Sequence, residues 1–351
     1  MKKLVKILLP FLVVSSAILS GCKKKVEEDS RTRLSFGDVH LAETVEVTVS
    51  ELNEIKNEKD TNNFLLVINS NTCTCWDEFK PNLDKYISLN HVFCYRIDYL
   101  SIKDVASGFN LNNLTKSSTT FAIFENGELK TSICTDSDSK IMYDENRFSQ
   151  YMSETVILPS CYFITKDDYH TIKNSGKNAI IYFERTECGD CKAINPGILN
   201  SYFKKRENTN KVYIVDLQPY YGTAEYQDIK DELGLSESGN PSFGFGTGVV
   251  PFFSYIENGT YASGAVVYND SVNSDLVVSK SYYSAERVAN LEYTSTVVQG
   301  MQLTENDVNK GTYQGFEYVS WDHSSADKVY EGILNSFLDY ALPKVTFEFV
   351  K

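Results

Sequence analysis

Two cysteines set between a strand and a helix constrain this chain more than anything else in it. Ala179-Ile180-Ile181-Tyr182-Phe183 is a short apolar run of strand type, and it ends just ahead of Cys188-Gly189-Asp190-Cys191. A helical pattern runs from Cys191 to Phe203. At a helix N-terminus the dipole and the unpaired backbone N–H groups favour the first sulfur as a thiolate, the reactive form. The second cysteine, three residues on, lies about one turn away on the same face and can close a disulfide. A C-x-x-C so placed is a strong signal of dithiol–disulfide chemistry; a bare one is not.

The pattern occurs twice. Phe64-Leu65-Leu66-Val67-Ile68 leads to Cys73-Thr74-Cys75-Trp76 and a helical stretch containing Pro81. Cys73 and Cys188 differ by 115 positions, and so do Pro81 and Pro196. Further on, Thr120 to Gly127 (TFAIFENG) matches Phe252 to Gly259 (FFSYIENG), but there Asn126 and Asn258 differ by 132. The extra 17 residues are an insertion in the second copy, and 234–248 is the segment expected to hold them. Each Asn-Gly stands between two strand-like runs and is the preferred two-residue hairpin turn, because both positions need φ > 0. An internal duplication explains these matches better than coincidence.

Each copy, from its first strand to its hairpin, resembles the thioredoxin-fold family. The resemblance implies an α/β protein of two tandem thioredoxin-like domains, each a central mixed sheet flanked by helices. It implies that Pro196 kinks the helix after the cysteines and that Val250-Pro251 is a cis peptide opening the hairpin opposite them. The backbone of Val250 would then hold an extended substrate by strand-like hydrogen bonds. Two positions depart from the family. The buried carboxylate that often assists proton transfer falls here on Tyr182, and the tryptophan that often precedes the first cysteine is Glu187.

Lys2, Lys3 and Lys6 precede an apolar run from Ile7 to Leu19, followed by Ser20-Gly21-Cys22. This is the order of a signal peptide over residues 1–21, too short for a comfortable membrane span. Leu19-Ser20-Gly21-Cys22 resembles the bacterial lipobox, which implies that Cys22 is lipidated, palmitate included, and anchors the chain outside the cytoplasmic membrane. The polar, charged stretch 22–44 then reads as a flexible tether. Net charge is −13, and −16 without the three leader lysines, which argues against a nucleic-acid partner. Eight cysteines less Cys22 leave an odd number in an oxidising compartment, so one thiol at least is free or pairs transiently. Cys94 reads as an inert core residue; Cys134 and Cys161 lie near the domain junction, where pairing is open.

The expected domains are 45–150, with the C-x-C, and 151–351, with the C-x-x-C. In the second, Cys161-Tyr-Phe-Ile-Thr is the first strand and Asp167 to Asn174 a short helix. Ser324 to Leu342 reads as a terminal amphipathic helix, with Val329, Ile333, Leu334, Phe337, Leu338 and Ala341 on one face, Ser324 as N-cap and Pro343 as stop. Residues 265–323 form an elaboration without an assigned role. Gly244-Phe-Gly-Thr-Gly248 lacks the Lys-Ser/Thr and following helix of a phosphate loop and reads as a plain insertion loop. The four histidines show no metal-ligand spacing.

Cys73-Thr74-Cys75 is harder to read. In the register fixed by Pro81 the place of the resolving cysteine is Trp76, and Thr119 stands where the second copy has Pro251. A C-x-C disulfide closes a small, strained ring, and strain makes a disulfide more reducible. Three readings stay open: a second redox centre relaying electrons with Cys188/Cys191, a soft-metal site such as Cu(I) on two thiolates, or a degenerate copy kept for structure.

For the whole chain the expectation is a membrane-tethered, extracytoplasmic thiol–disulfide oxidoreductase acting on protein thiols and disulfides. Cys188 is the nucleophile, Cys191 the resolving thiol, and the redox-active disulfide is the only cofactor required. The alternative is a non-catalytic thioredoxin-fold binding module, for example an accessory lipoprotein of secretion or bacteriocin transport.

Overall fold

The protein is seen here as a computed structural model that describes residues 29–57, 62–70, 72–112, 114–194, 199–204, 210–232, 250–270, 275–282, 308–313, 316–321, 334–335 and 337–349. Cys22 and its leader, Pro196, and the 234–248 insertion lie outside the described residues.

A leading segment contributes β1 (Thr32–Arg33) and β2 (Gly37–Asp38). The first half follows as β3 (Val45–Glu46), α1 (Val49–Asn57), β4 (Phe64–Asn69), α2 (Thr74–Asn90), β5 (Cys94–Asp98), α3 (Tyr99–Ile102), β6 (Thr120–Glu125), β7 (Glu128–Cys134), α4 (Thr135–Met142) and α5 (Glu145–Thr155). After β8 (Val156–Ile157), the second half runs β9 (Cys161–Ile164), α6 (Lys166–Asn174), β10 (Ala179–Glu184), α7 (Gly189–Ala193), α8 (Leu199–Lys204), β11 (Val212–Asp216), α9 (Ala224–Glu232), β12 (Phe252–Glu257) and β13 (Thr260–Asp270). The elaboration adds β14 (Asp275–Tyr282), β15 (Val308–Tyr313) and β16 (Phe316–Trp321).

The expected α/β architecture of two mixed sheets is present. The first has the order β3-β5-β4-β6-β7, with the first three parallel and β6 and β7 antiparallel. The second repeats this as β9-β11-β10-β12-β13, and is widened to nine strands by β2 on one edge and β14, β16 and β15 on the other. Central strands β4 and β10 are buried along their whole length, because helices cover both faces. In β4, Leu65 and Val67 pack towards Phe79, Leu83 and Phe148, while Leu66 and Ile68 pack towards Leu52, Ile102 and Phe109. The continuous apolar run in the sequence is therefore two alternating faces, each with its own helices.

Both hairpins form as read. Asn126 and Gly127 have φ of 54° and 74°, and Asn258 and Gly259 have 51° and 77°. The 115-residue offset extends to a pair not noticed in the sequence. Asn63 Oδ1 accepts from Asn126 N–H at 2.7 Å, and Asn178 Oδ1 accepts from Asn258 N–H at 2.9 Å.

The 22–44 stretch is not a free tether throughout. β1 pairs in parallel with β8, and β2 pairs in parallel with β9 of the second half while Gly37 also bridges Val92 of the first. A Cβ on Gly37 would stand 2.3 Å from the His91 carbonyl oxygen, so this crossing needs glycine. Two-residue pairings are too short to leave a hydrophobic period, which is why a polar sequence hid them. At the other end, Leu334, Phe337, Leu338 and Ala341 are fully buried against the Tyr182 face of the second sheet, and Pro343 lies in the short 3₁₀ turn that follows. Ser324, Val329 and Ile333 lie outside the described residues.

Candidate dithiol site

β10 delivers the chain to the cysteines. After Glu184 a turn closes with Cys188 N–H donating to the Arg185 carbonyl at 2.9 Å. Helix α7 starts at Gly189, so Cys188 itself is the N-cap residue, with Lys192 N–H on its carbonyl at 3.1 Å. The helix thus begins at the first cysteine and not, as the sequence pattern suggested, at the second. Cys188 and Cys191 are both thiols, not joined in a disulfide, 9% and 2% exposed. Antiparallel pairing of Phe183 with Phe252 brings the start of β12 alongside the end of β10. Val250 is placed by that pairing so that its carbonyl accepts from Cys188 Sγ at 3.5 Å. The peptide bond between Val250 and Pro251 is the only cis bond among the described residues. Cys188, Cys191, Val250, Phe252 and Tyr226 share one buried cluster.

The two sulfurs are not equivalent. Cys191 bonds to Cys188 and is buried, and both effects hold its thiol above the ordinary range. The Arg185 N–H, 3.5 Å from Cys191 Sγ, pulls the other way, and the charge of Glu184 adds to the rise. Cys191 therefore gives up its proton less readily than an ordinary thiol, and its sulfur is hydrogen-bonded to Cys188. Glu184 is a carboxylate only 5% exposed, and it lines with Cys191, Ser35, Phe64 and Phe93 a cavity of about 370 Å³ between the two halves.

The sequence reading missed Glu184. It asked for a buried carboxylate at position 182 and found Tyr182, which is fully buried and stacks on Phe253 at 4.2 Å. Glu184 lies two residues on, on the same face of the strand, so the strand period could have found it. Arg185 was missed as well. Its Cζ lies 3.9 Å over the Tyr221 ring.

In the first half Cys73 and Cys75 are joined as a disulfide. Cys73 caps the 17-residue α2, its Sγ accepting from Cys75 N–H at 3.3 Å, and Pro81 sits inside that helix. The two sulfurs face the Ser117 carbonyl at 2.9 and 3.6 Å, and Cys75 Sγ lies 3.4 Å from Thr119 Oγ1. By the hairpin register Val250 corresponds to Ser118, so the sulfurs here face the chain one residue earlier. Thr119 is fully buried and locked to Thr135 by two hydrogen bonds of 2.9 and 3.0 Å. Trp76, at the resolving position, is buried edge-on to Phe79.

Cys191 shares its cavity with Phe64, the first residue of β4, whereas Cys73 follows the last. Six strand residues span roughly 20 Å, so the two sulfur pairs flank opposite ends of that strand. Exchange requires sulfur to touch sulfur, so a direct relay between the pairs would need the halves to move. Cys94 and Cys161 are buried, and burial pushes both thiols up. Cys134 is partly exposed and bonds to Ser137 Oγ at 3.2 Å; it is not joined to Cys161. Among the described residues no three His, Cys, Asp or Glu side chains cluster as metal ligands.

No family model and no curated protein matches the chain. Among solved structures it is similar to a thioredoxin mutant from Halobacterium salinarum NRC-1, at 17% identity over 34% of this chain and 96% of that one, TM-score 0.26. It is similar to the zinc-bound form of human ERp44 at 14% identity, over 52% of this chain and 48% of that one, TM-score 0.25. Thioredoxin from Trypanosoma brucei brucei gives 14% identity over 32% of this chain and 94% of that one, TM-score 0.25.

Proposed function

We propose that this chain is a thiol–disulfide oxidoreductase, held outside the cytoplasmic membrane by a lipid on Cys22, that acts on protein thiols and disulfides. One observation carries the reading: two inequivalent thiols, not joined in a disulfide, stand one helical turn apart at a helix start, with the first against the Val250 carbonyl. In the oxidising direction a client thiolate attacks Cys188 Sγ of the Cys188–Cys191 disulfide, and Cys191 leaves and takes a proton. A second client thiolate then attacks the client sulfur and releases Cys188; two electrons have passed from client to dithiol. In the reducing direction Cys188 attacks a client disulfide, and Cys191 resolves the mixed disulfide. The Val250 backbone and Pro251 flank Cys188, where an extended client strand would lie. Glu184 is the buried group nearest to hand for the Cys191 proton. The first-half pair Cys73/Cys75 is an additional centre that exchanges with small thiols.

The test is disulfide exchange with a reduced unfolded client. Cys188→Ser/Cys191→Ser should remove nearly all of it in a folded protein, and full activity in that variant would leave the binding-module reading standing. For the anchor, Cys22→Ala should release the protein from the membrane fraction, and a variant that still fractionates wholly with membranes would exclude lipidation as the tether.

A further inference from the structure

Arg185 occupies the first position between β10 and the dithiol, and its backbone touches both cysteines. Its carbonyl accepts from Cys188 N–H at 2.9 Å and its N–H donates to Cys191 Sγ at 3.5 Å. The side chain is pinned, with Cζ 3.9 Å from the centre of the Tyr221 ring. Arg185 Nε is buried without a hydrogen-bond partner, and among the described residues no carboxylate forms an ion pair with the guanidinium. A half-buried cation without a counter-charge is costly, so the groups around it decide what it serves.

The charged and titratable neighbours on the packed elements are few. Glu184 faces the cavity on the Cys191 side, and Glu187 reaches out to Gln218 at 3.4 Å. Asp216, at the end of β11, is taken up by Thr186 at 2.6 and 3.2 Å. Lys192 is exposed on α7. Tyr221 and Tyr226 pack edge to face at 5.6 Å. Burial raises Tyr226 and the Arg185 charge opposes that rise, so the field of the guanidinium crosses this cluster. Cys188 is hydrogen-bonded to the Arg185 backbone and shares a buried cluster with Tyr226, and it becomes an anion in the exchange cycle.

We propose that Arg185, clamped on Tyr221, is a positioning residue whose charge stabilises the Cys188 thiolate and so makes the dithiol more oxidising. The inference rests on Cys188/Cys191 being the working centre. In the cycle above it acts at the last step, where the bond between the client sulfur and Cys188 breaks and the electron pair stays on Cys188. The thiolate released there forms at the residue whose N–H is bonded to the Arg185 carbonyl. A stabilised thiolate is a better leaving group, and stabilising the reduced dithiol raises the reduction potential. Glu187, next to Cys188 in sequence, works against this, which makes a fixed cation the more consequential.

The experiment uses the reduced full-length protein and follows alkylation of Cys188 by iodoacetamide across pH, read by peptide mass, together with its equilibrium with glutathione. Arg185→Gln should slow Cys188 alkylation at pH 7 about tenfold and move the midpoint to higher pH. It should also shift the glutathione equilibrium about tenfold towards disulfide, about 30 mV for a two-electron couple. Arg185→Lys should restore most of both, and Tyr221→Leu should fall between. Superimposable profiles and equilibria for wild type and R185Q overturn the proposal. If circular dichroism shows R185Q unfolded, Y221L carries the test, and a wild-type profile in it overturns the clamp. Alkylation needs no client, so a shifted profile in a protein that exchanges with no client counts against the functional reading and not against Arg185.

Discussion

Cys188 Sγ lies 3.5 Å from the Val250 carbonyl oxygen, joining the helix that presents the sulfur to the loop that would receive a client. Cys191 is more deeply buried, and its thiol is held above the ordinary range. The order of attack follows. Cys191→Ser should accumulate mixed disulfides with client proteins through Cys188, visible as reductant-sensitive bands on non-reducing gels. Cys188→Ser should trap few or none. Equal trapping by both variants would mean that the sulfurs are interchangeable.

Glu184 tests how the second sulfur loses its proton. Cys191 must ionise to resolve a mixed disulfide, yet it is 2% exposed and held above the ordinary thiol range by Cys188, by burial and by the charge of Glu184. Glu184 and Cys191 line one cavity, where the carboxylate is placed to accept the proton as well as to repel the charge left behind. Glu184→Gln should therefore lengthen the life of the mixed disulfide about a hundredfold at pH 7, the low end of the usual range for loss of general base assistance. The gap should close at high pH, where hydroxide takes the proton. Faster resolution in Glu184→Gln would show that the residue acts only through its charge.

The leading segment is fastened to the second half by His40, whose Nε2 lies 2.6 Å from Asp168 Oδ2. Asp168 also closes the capping box of α6 with Thr165. Burial pushes Asp168 up, but the Thr165 and His40 hydrogen bonds outweigh it and hold the carboxyl below its usual range. A depressed carboxyl stabilises the fold above its unfolded pKa, near 4, and that stability is lost as pH falls through the lower folded value. Asp168→Asn should thus lower the melting temperature at pH 7, with the difference from wild type shrinking below about pH 4. Thr165→Ala should cost about 1 kcal/mol through loss of the cap. A deficit in Asp168→Asn that is constant down to pH 2 would contradict the linkage.

What the sequence made legible was what repeats. A C-x-C and a C-x-x-C, each after an apolar run, and two Asn-Gly turns were enough to place both sheets, because each signal is local and each has a fixed backbone requirement. Gly259 shows how strict that is: φ is 77°, and a Cβ would meet the Lys173 carbonyl oxygen at 2.2 Å. Gly259→Ala should destabilise the second half by more than about 1 kcal/mol, measured by denaturant unfolding, and a neutral result would refute the tight hairpin-to-α6 contact. What stayed hidden depends on long-range packing. β1 and β2 are too short to show a period. The strand period puts Glu184 on the Tyr182 face, but its burial depends on Ser35, Phe64 and Phe93 coming alongside, and Arg185 finds Tyr221 only when the turn after β11 does. The elaboration became legible only as sheet: β14 to β16 extend the second sheet beyond β13, which nothing in a Tyr- and Ser-rich stretch announced.

The two halves are asymmetric at their sulfurs. In the second, two thiols at three-residue spacing stand before the Val250–Pro251 loop. In the first, the disulfide of Cys73 and Cys75 faces Ser117, Thr119 is locked to Thr135, and Trp76 fills the resolving position. A buried, doubly bonded Thr119 offers less free backbone to a client strand than a loop bound to its dithiol by a single sulfur contact. Because the two centres flank opposite ends of β4, neither can serve the other without the halves moving apart. Cys73→Ser/Cys75→Ser should therefore leave most exchange with an unfolded client, while Cys188→Ser/Cys191→Ser removes nearly all of it. Exchange with glutathione should fall only in part in either variant. All forms would be assayed reduced and oxidised at matched concentration after circular dichroism confirms folding. The reverse ranking on the protein client would make the C-x-C copy the working centre. Loss of client exchange in both variants would show that the two pairs act in series, and hence that the halves open during turnover.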